Sequence, residues 1–171
     1  PAFEQLLENM WETMYEANGV GLAAPQVGIA IRLFIVDASP FADDDELTEE
    51  EQKQLTGFKK VFINPQIEES GEEWAFNEGC LSIPDIREDV YRQEEIQIRY
   101  WDENFKEHTE QYSGLAARVI QHEYDHIEGV LFTDKLSPLK KRLIKGKLNN
   151  IAKGNIDVDY KMRFPLASKK R

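Results

Sequence analysis

SGLAARVIQHEYDHIEG, residues 113–129, is the stretch on which the fold turns. Ser113 suits a helix N-cap, Leu115, Val119, Ile120 and Ile127 recur at helical spacing, and Gly129 is a natural C-terminal stop. The spacing predicts one amphipathic helix. His122 and His126 stand four residues apart in it, separated by about 40° around the axis and ~6 Å along it, so both imidazoles reach one cation. Glu123 lies beside the first histidine. There it can take a proton from an activated water and pass it to a leaving nitrogen without coordinating the ion. The same five residues also describe two surface histidines on an acidic helix, so the surrounding chain has to decide.

Working outward, the chain before this helix is rich in strands. Leu33–Val36 is a short apolar strand, Val61-Phe62-Ile63-Asn64-Pro65 ends a second, and residues 72–77 read as a third. Residues 95–101 alternate, with Ile96, Ile98 and Tyr100 on one face, and Asp102-Glu103-Asn104 turns the chain into a partner strand over 105–112. Two further helices flank the strands. Phe3, Leu6, Leu7, Met10 and Met14 share a face of the first, which Asn18-Gly19 ends. Ser137-Pro138 opens the last, with Ile144, Leu148 and Ile151 on one stripe. Strands in blocks with one enclosed helix predict an α+β fold: antiparallel β-sheets around a central metal-binding helix, with an N-terminal and a C-terminal helix. Residues 1–151 are expected to form the catalytic domain, and 152–171 a basic C-terminal tail. Residues 40–57, with seven acids between Asp43 and Glu51, read as a solvated insertion carrying one short helical turn, which Thr48 and Glu51 cap and Gly57 stops.

The length of 171 residues suits one ordinary domain, and 41% hydrophobic with 31% charged residues suits a globular chain. No apolar run approaches the ~20 residues that span a bilayer, and no basic segment leads into an apolar one at the start. A cytoplasmic setting without membrane contact is expected. A single cysteine, Cys80, rules out an intrachain disulfide and fits a reducing compartment. Charge is uneven: residues 1–134 hold nine Lys/Arg and thirty Asp/Glu (−21), and residues 135–171 hold twelve Lys/Arg and two Asp (+10). A basic segment on an acidic body is either a solvated tail or a surface for a polyanion.

Cys80 lies in Glu78-Gly79-Cys80-Leu81-Ser82, at a strand end beside a glycine that admits close backbone approach. Two imidazoles and one thiolate leave the fourth position of a tetrahedral site for water, as a catalytic centre requires. His108 stands in a charged strand and is expected to be exposed. A third stretch, Gly19-Val20-Gly21-Leu22-Ala23-Ala24-Pro25-Gln26, lacks the GxGxxG spacing, which argues against a nucleotide cofactor. Its small residues let backbone groups pair with an extended peptide, and the Gln26 amide can donate to an oxyanion. Zinc endopeptidases use the same helix logic. The metzincin form places a histidine where Phe132 stands, and the gluzincin form takes a downstream glutamate, yet none follows Glu128. A structural metal beside a nucleic-acid-binding tail is the remaining reading.

Together Gly19–Gln26 (GVGLAAPQ), Glu78–Ser82 (EGCLS) and His122–His126 (HEYDH) closely resemble the three motifs of peptide deformylases, in order and spacing, over about residues 4–150. The resemblance implies removal of the formyl group from N-formyl-methionyl nascent peptides, releasing formate, in bacteria or organelles. It implies Cys80, His122 and His126 as metal ligands, Glu123 as acid/base, and Gln26 with the Leu81 N–H as oxyanion donors. Gly21 would pair with the substrate backbone. Val20, Glu78, Gly79, Leu115 and Val119, with His122, would bind or line the methionine side chain, and Arg87 matches a position that touches substrate in some relatives. One divalent ion per chain is implied, Fe2+ in the cell, with Zn2+, Ni2+ or Co2+ able to substitute. A C-terminal helix attaches some relatives to the ribosome, which gives the basic segment a partner. Two departures stand out. Relatives generally carry an extended segment ahead of the first helix, so a strand of the usual fold is unaccounted for. Arg118 stands where an apolar residue is common, which implies a more polar pocket rim.

Overall fold

The computed structural model describes residues 1–166. Its helices are α1 (Ala2–Glu16), α2 (Glu49–Leu55), α3 (Gly114–Ile127) and α4 (Pro138–Ala152). Its strands are β1 (Gly21–Ala23), β2 (Leu33–Asp37), β3 (Lys59–Cys80), β4 (Ile83–Trp101) and β5 (Glu107–Ser113), in one sheet of order β1-β2-β3-β4-β5. Neighbours pair antiparallel in β1/β2, β2/β3 and β4/β5, and the β4/β5 register sets Ile96 opposite Tyr112 and Tyr100 opposite His108. The α+β architecture and the antiparallel pairing agree with the reading from sequence. Among the described residues, no helix is long and apolar enough to cross a membrane.

Two compact units divide the contacts. The first, residues 1–74 and 92–131, packs α1 through Leu7, Met10 and Met14 on Leu22, Leu33, Ile35 and Val61. The alternation in β4 does what period-two patterning predicts: Ile96, Ile98 and Tyr100 are all buried. Tyr100 meets Phe62 at 4.5 Å between ring centroids, and Phe62 meets Phe34 at 4.9 Å. Asn18, in the left-handed region at φ 55°, ends α1 as its sequence position suggests. The second unit, residues 75–91 and from 132 on, gathers Ile83, Ile86, Val90, Phe132, Leu136, Ile144 and Ile151, with Cys80, Leu148 and Ile156 packed against them. The Ser137 hydroxyl accepts the Lys140 N–H and caps α4.

Three expectations change. First, Asn64-Pro65 does not end a strand, and β3 runs unbroken for 22 residues. Asn64 takes φ 47° and its N–H donates to the Arg32 carbonyl at 2.9 Å, so the neighbouring chain carries the strand through a local turn signal. Second, Ser113 occupies the N-cap of α3 but its side chain makes no capping bond. Third, the acidic insertion is more than a solvated excursion. Its capping box forms as expected, with Glu51 accepting from the Thr48 N–H at 2.8 Å. Its Leu55, however, is only 1% exposed, and Gln54 Oε1 accepts the Ser113 N–H at 3.3 Å. The insertion thus supplies a partner for the start of α3 that Ser113 does not. Replacing Leu55 with alanine should cost about 2–5 kcal/mol, as for other fully buried leucines. Urea unfolding would read this directly, and a loss near zero would return the insertion to the status of a solvated loop.

Candidate metal centre

The first half of α3 is buried on nearly every side: Leu115, Ala116, Ala117, Arg118, Val119, Ile120 and Gln121 are all enclosed. A helix so placed must satisfy each polar side chain it carries. Arg118 donates through Nη2 to the Trp74 carbonyl at 2.7 Å, and its guanidinium lies 4.5 Å from the centroid of the Trp74 ring. It is 2% exposed, so it forms part of the interior rather than a polar pocket rim. Gln121 donates through Nε2 to the Gln93 carbonyl at 3.0 Å. Asp125 accepts from Arg92 at 2.6 Å, and the arginine side chain is 3% exposed. These three bonds tie α3 to the chain at Trp74 and in β4.

Held in this way, the His122 and His126 rings sit 5.1 Å apart, edge to face. Burial, then the neighbouring His122 and Arg92, pushes the His126 pKa down to about 3. Its imidazole is neutral at physiological pH, the form that donates to a metal. Glu123, 4% exposed, packs its side chain against the backbone of Gly21. A Cβ on Gly21 would stand 2.6 Å from Glu123 Oε1 and 2.7 Å from its Cγ, so only glycine allows this approach. Gln26 Oε1 accepts the Ala23 N–H at 2.9 Å, which fixes the orientation of the amide at the end of β1. Val20 is half-buried and its carbonyl accepts the Asp37 N–H at 2.8 Å; Leu115 and Val119 are buried on α3.

In the second unit, Cys80 closes β3, half-buried and in no disulfide, with Glu78 buried two residues before it. Gly79 faces Arg87, whose Nη1 lies 2.7 Å from where a Cβ would be. Arg87 donates through Nη2 to the Asn77 carbonyl at 2.7 Å and through Nε to its side chain at 2.9 Å, so its bonds include local structural ones. Leu81 and Ser82 form the turn into β4.

Cys80 in the second unit and His122 and His126 in the first offer one sulfur and two imidazole nitrogens as candidate donors. A soft thiolate with two imidazoles suits a first-row divalent ion of the zinc or iron kind. Three protein donors are one short of a closed structural site, which is the composition of a catalytic one. His108 stands apart from this group. It is half-buried rather than exposed, bonded to Asp102 at 2.7 Å and stacked 5.2 Å from Tyr100, a structural histidine of the β4/β5 pair. Arg92 and Gln54 are the supporting residues that sequence reading missed, and neither carries a local signal.

The site is therefore that of a metal-dependent hydrolase. The family model described as polypeptide deformylase matches residues 1–142. A peptide deformylase of Christiangramia forsetii is 70% identical over 172 aligned residues, covering all of this chain and 88% of its own, and one of Flavobacterium johnsoniae is 60% identical with the same coverage. A crystal structure of a peptide deformylase from Legionella pneumophila aligns with TM-score 0.73 at 37% identity, over 90% of this chain and 83% of that one. Peptide deformylase 1B of Arabidopsis thaliana aligns with TM-score 0.75 at 32% identity, over 90% and 79%. The chain belongs to the peptide deformylase family. Its activity is removal of the N-formyl group from nascent peptides, with release of formate.

The Arg92–Asp125 pair makes a prediction about the scaffold. Arg92→Ala takes the cation from a mostly buried ion pair and should cost about 3–5 kcal/mol. Urea unfolding of the metal-free protein is the measurement, and a cost below about 1 kcal/mol would show that the pair does not hold α3.

Proposed function

We propose that Cys80, His122 and His126 hold one divalent ion and that Glu123 is the acid/base of formyl hydrolysis. The observation that carries this reading is the donor set: two imidazoles 5.1 Å apart on α3 with Glu123 beside the first, and a single thiol at the end of β3. When bound, such an ion supplies Lewis-acid polarisation of the formyl oxygen and acidifies a water molecule. Glu123 then accepts the water's proton and delivers it to the amide nitrogen as the methionine amine leaves. The Gln26 amide and the Leu81 N–H donate to the formyl oxygen as negative charge grows on it. The bond from the Ala23 N–H to Gln26 Oε1 supports this, since it holds the oxygen end of the amide against the backbone and so orients the side chain. Gly21 pairs with the substrate backbone, and Val20, Glu78, Gly79, Leu115 and Val119, with His122, line the site of the methionine side chain. Fe2+ is the cellular ion in this reading, with Zn2+, Ni2+ or Co2+ as substitutes, and the bacterial cytoplasm is the setting. The thiolate is anionic and tempers the Lewis acidity that three imidazoles would give.

Formate release from formyl-Met-Ala-Ser, against the acetyl analogue, tests the substrate reading; equal turnover of both would overturn it. Glu123→Gln should keep about one metal per chain while kcat falls by ~10²–10⁴. Gly21→Ala should act in the same direction, because its Cβ would fall where the Glu123 side chain lies. Metal loss in parallel with activity in Glu123→Gln would make that residue a ligand instead.

A ribosomal partner is favoured by one observation. α4 exposes Lys141, Arg142 and Lys145 beside Leu139 and Leu143, which are 64% and 72% exposed. The basic end Lys169-Lys170-Arg171 lies outside the described residues. Reversing the charges of Lys141, Arg142 and Lys145 should reduce ribosome co-sedimentation at low salt and leave hydrolysis of a free formyl peptide unchanged, as expected of phosphate contacts. Undiminished co-sedimentation would reject the contact.

A further inference from the structure

The basic C-terminal stretch does not simply trail from α4. Gly154, at φ 80°, reverses the chain after the helix, and its N–H donates to the Ile151 carbonyl. Ile156 then packs on the cluster of Ile83, Ile86, Val90, Phe132, Leu136, Ile144 and Ile151. Further on, Phe164 covers Gly154, whose Cβ would meet the ring at 3.0 Å, and the Leu166 N–H donates to the Ala152 carbonyl at 2.8 Å. The segment is thus a loop closed on its own helix. At its middle stands Tyr160, half-buried, donating its hydroxyl to the carbonyl of Leu81 at 2.7 Å.

Leu81 is the first of the two turn residues between β3 and β4, directly after Cys80. A turn carbonyl has no ladder partner to hold it, and a short hydrogen bond from a half-buried phenol fixes the peptide plane to which it belongs. Burial first, then the charges of Cys80 and Asp85, raises the Tyr160 pKa above the usual phenol value, so the group remains a donor around neutral pH.

We infer that Tyr160 is a positioning residue for the catalytic centre: by holding the Leu81 carbonyl, it orients the turn that presents the Cys80 thiolate and the Leu81 N–H. This rests on the reading in which Cys80 is a ligand and Leu81 an oxyanion donor. A tyrosine that served only to fasten the C-terminal segment would add stability and leave the geometry of the thiolate unchanged.

The test uses the Co2+-loaded full chain, in which a thiolate ligand gives a near-ultraviolet charge-transfer band sensitive to metal–sulfur geometry. Tyr160→Phe keeps the ring and removes the hydroxyl. It should shift or weaken that band and lower kcat on formyl-Met-Ala-Ser by roughly 3–10-fold, the scale of one lost hydrogen bond, with KM changed less than about 2-fold. Site-specific 3-fluorotyrosine at position 160 restores ring and hydroxyl together and should return both readouts to those of the parent chain. A Tyr160→Phe protein with the parental band and kcat overturns the proposal, whatever its melting temperature, as does a fluorotyrosine protein that behaves like Tyr160→Phe. Failure of the underlying reading looks different: the parent chain would then show no thiolate band, or Cys80→Ser would keep it.

Discussion

The site depends on a buried helix that carries four polar side chains within about two turns. Burying α3 removes its backbone and apolar positions from water, which favours folding, but it also strips solvent from Arg118, Gln121, Glu123 and Asp125. The helix is tolerated there because carbonyls of Trp74 and Gln93 and the guanidinium of Arg92 stand where those groups need them. The same three bonds remove the freedom of α3 to rotate about its axis. The directions of the two imidazoles therefore depend on the bonds that Arg118, Gln121 and Asp125 make.

Burial then shapes the chemistry. A histidine surrounded by protein and set beside a second imidazole and an arginine resists protonation, and His126 accordingly stays neutral well below its ordinary titration range. A neutral imidazole is ready to coordinate without first losing a proton. Close approach matters as much as polarity. The backbone at Gly21 meets the Glu123 side chain with no room for a Cβ, so one glycine in a three-residue strand defines where the glutamate can lie. That strand is anchored in turn by pairing with β2, Gly21 opposite Val36.

The acidic insertion shows how a segment that looks dispensable acquires a structural task. Its charges face water, yet Leu55 reaches the interior and Gln54 meets the first backbone donor of α3. Helix starts leave N–H groups without intrahelical partners, and a glutamine 59 residues away in sequence accepts one of them here. Variation in this insertion therefore bears on the stability of the helix that carries the candidate ligands His122 and His126.

What the sequence by itself determined is whatever neighbours along the chain decide. The alternation of Ile96, Ile98 and Tyr100, the Thr48–Glu51 capping box, the Ser137 cap and the left-handed Asn18 are all set within a few residues, and all are found. The candidate donors were legible for the same reason, because a helix puts His122 and His126 on one face and the cysteine is unique. The tertiary structure alone decided the rest: the continuation of β3 through Asn64, the burial of Arg118 over Trp74, the Arg92–Asp125 pair and the reach of Tyr160 to Leu81. Partners 33, 44 or 79 residues apart leave no periodic trace, and a turn signal such as Asn-Pro yields when an adjacent strand supplies its hydrogen bond. Local preference is worth a fraction of a kcal/mol per residue, and packing that satisfies buried groups outweighs it.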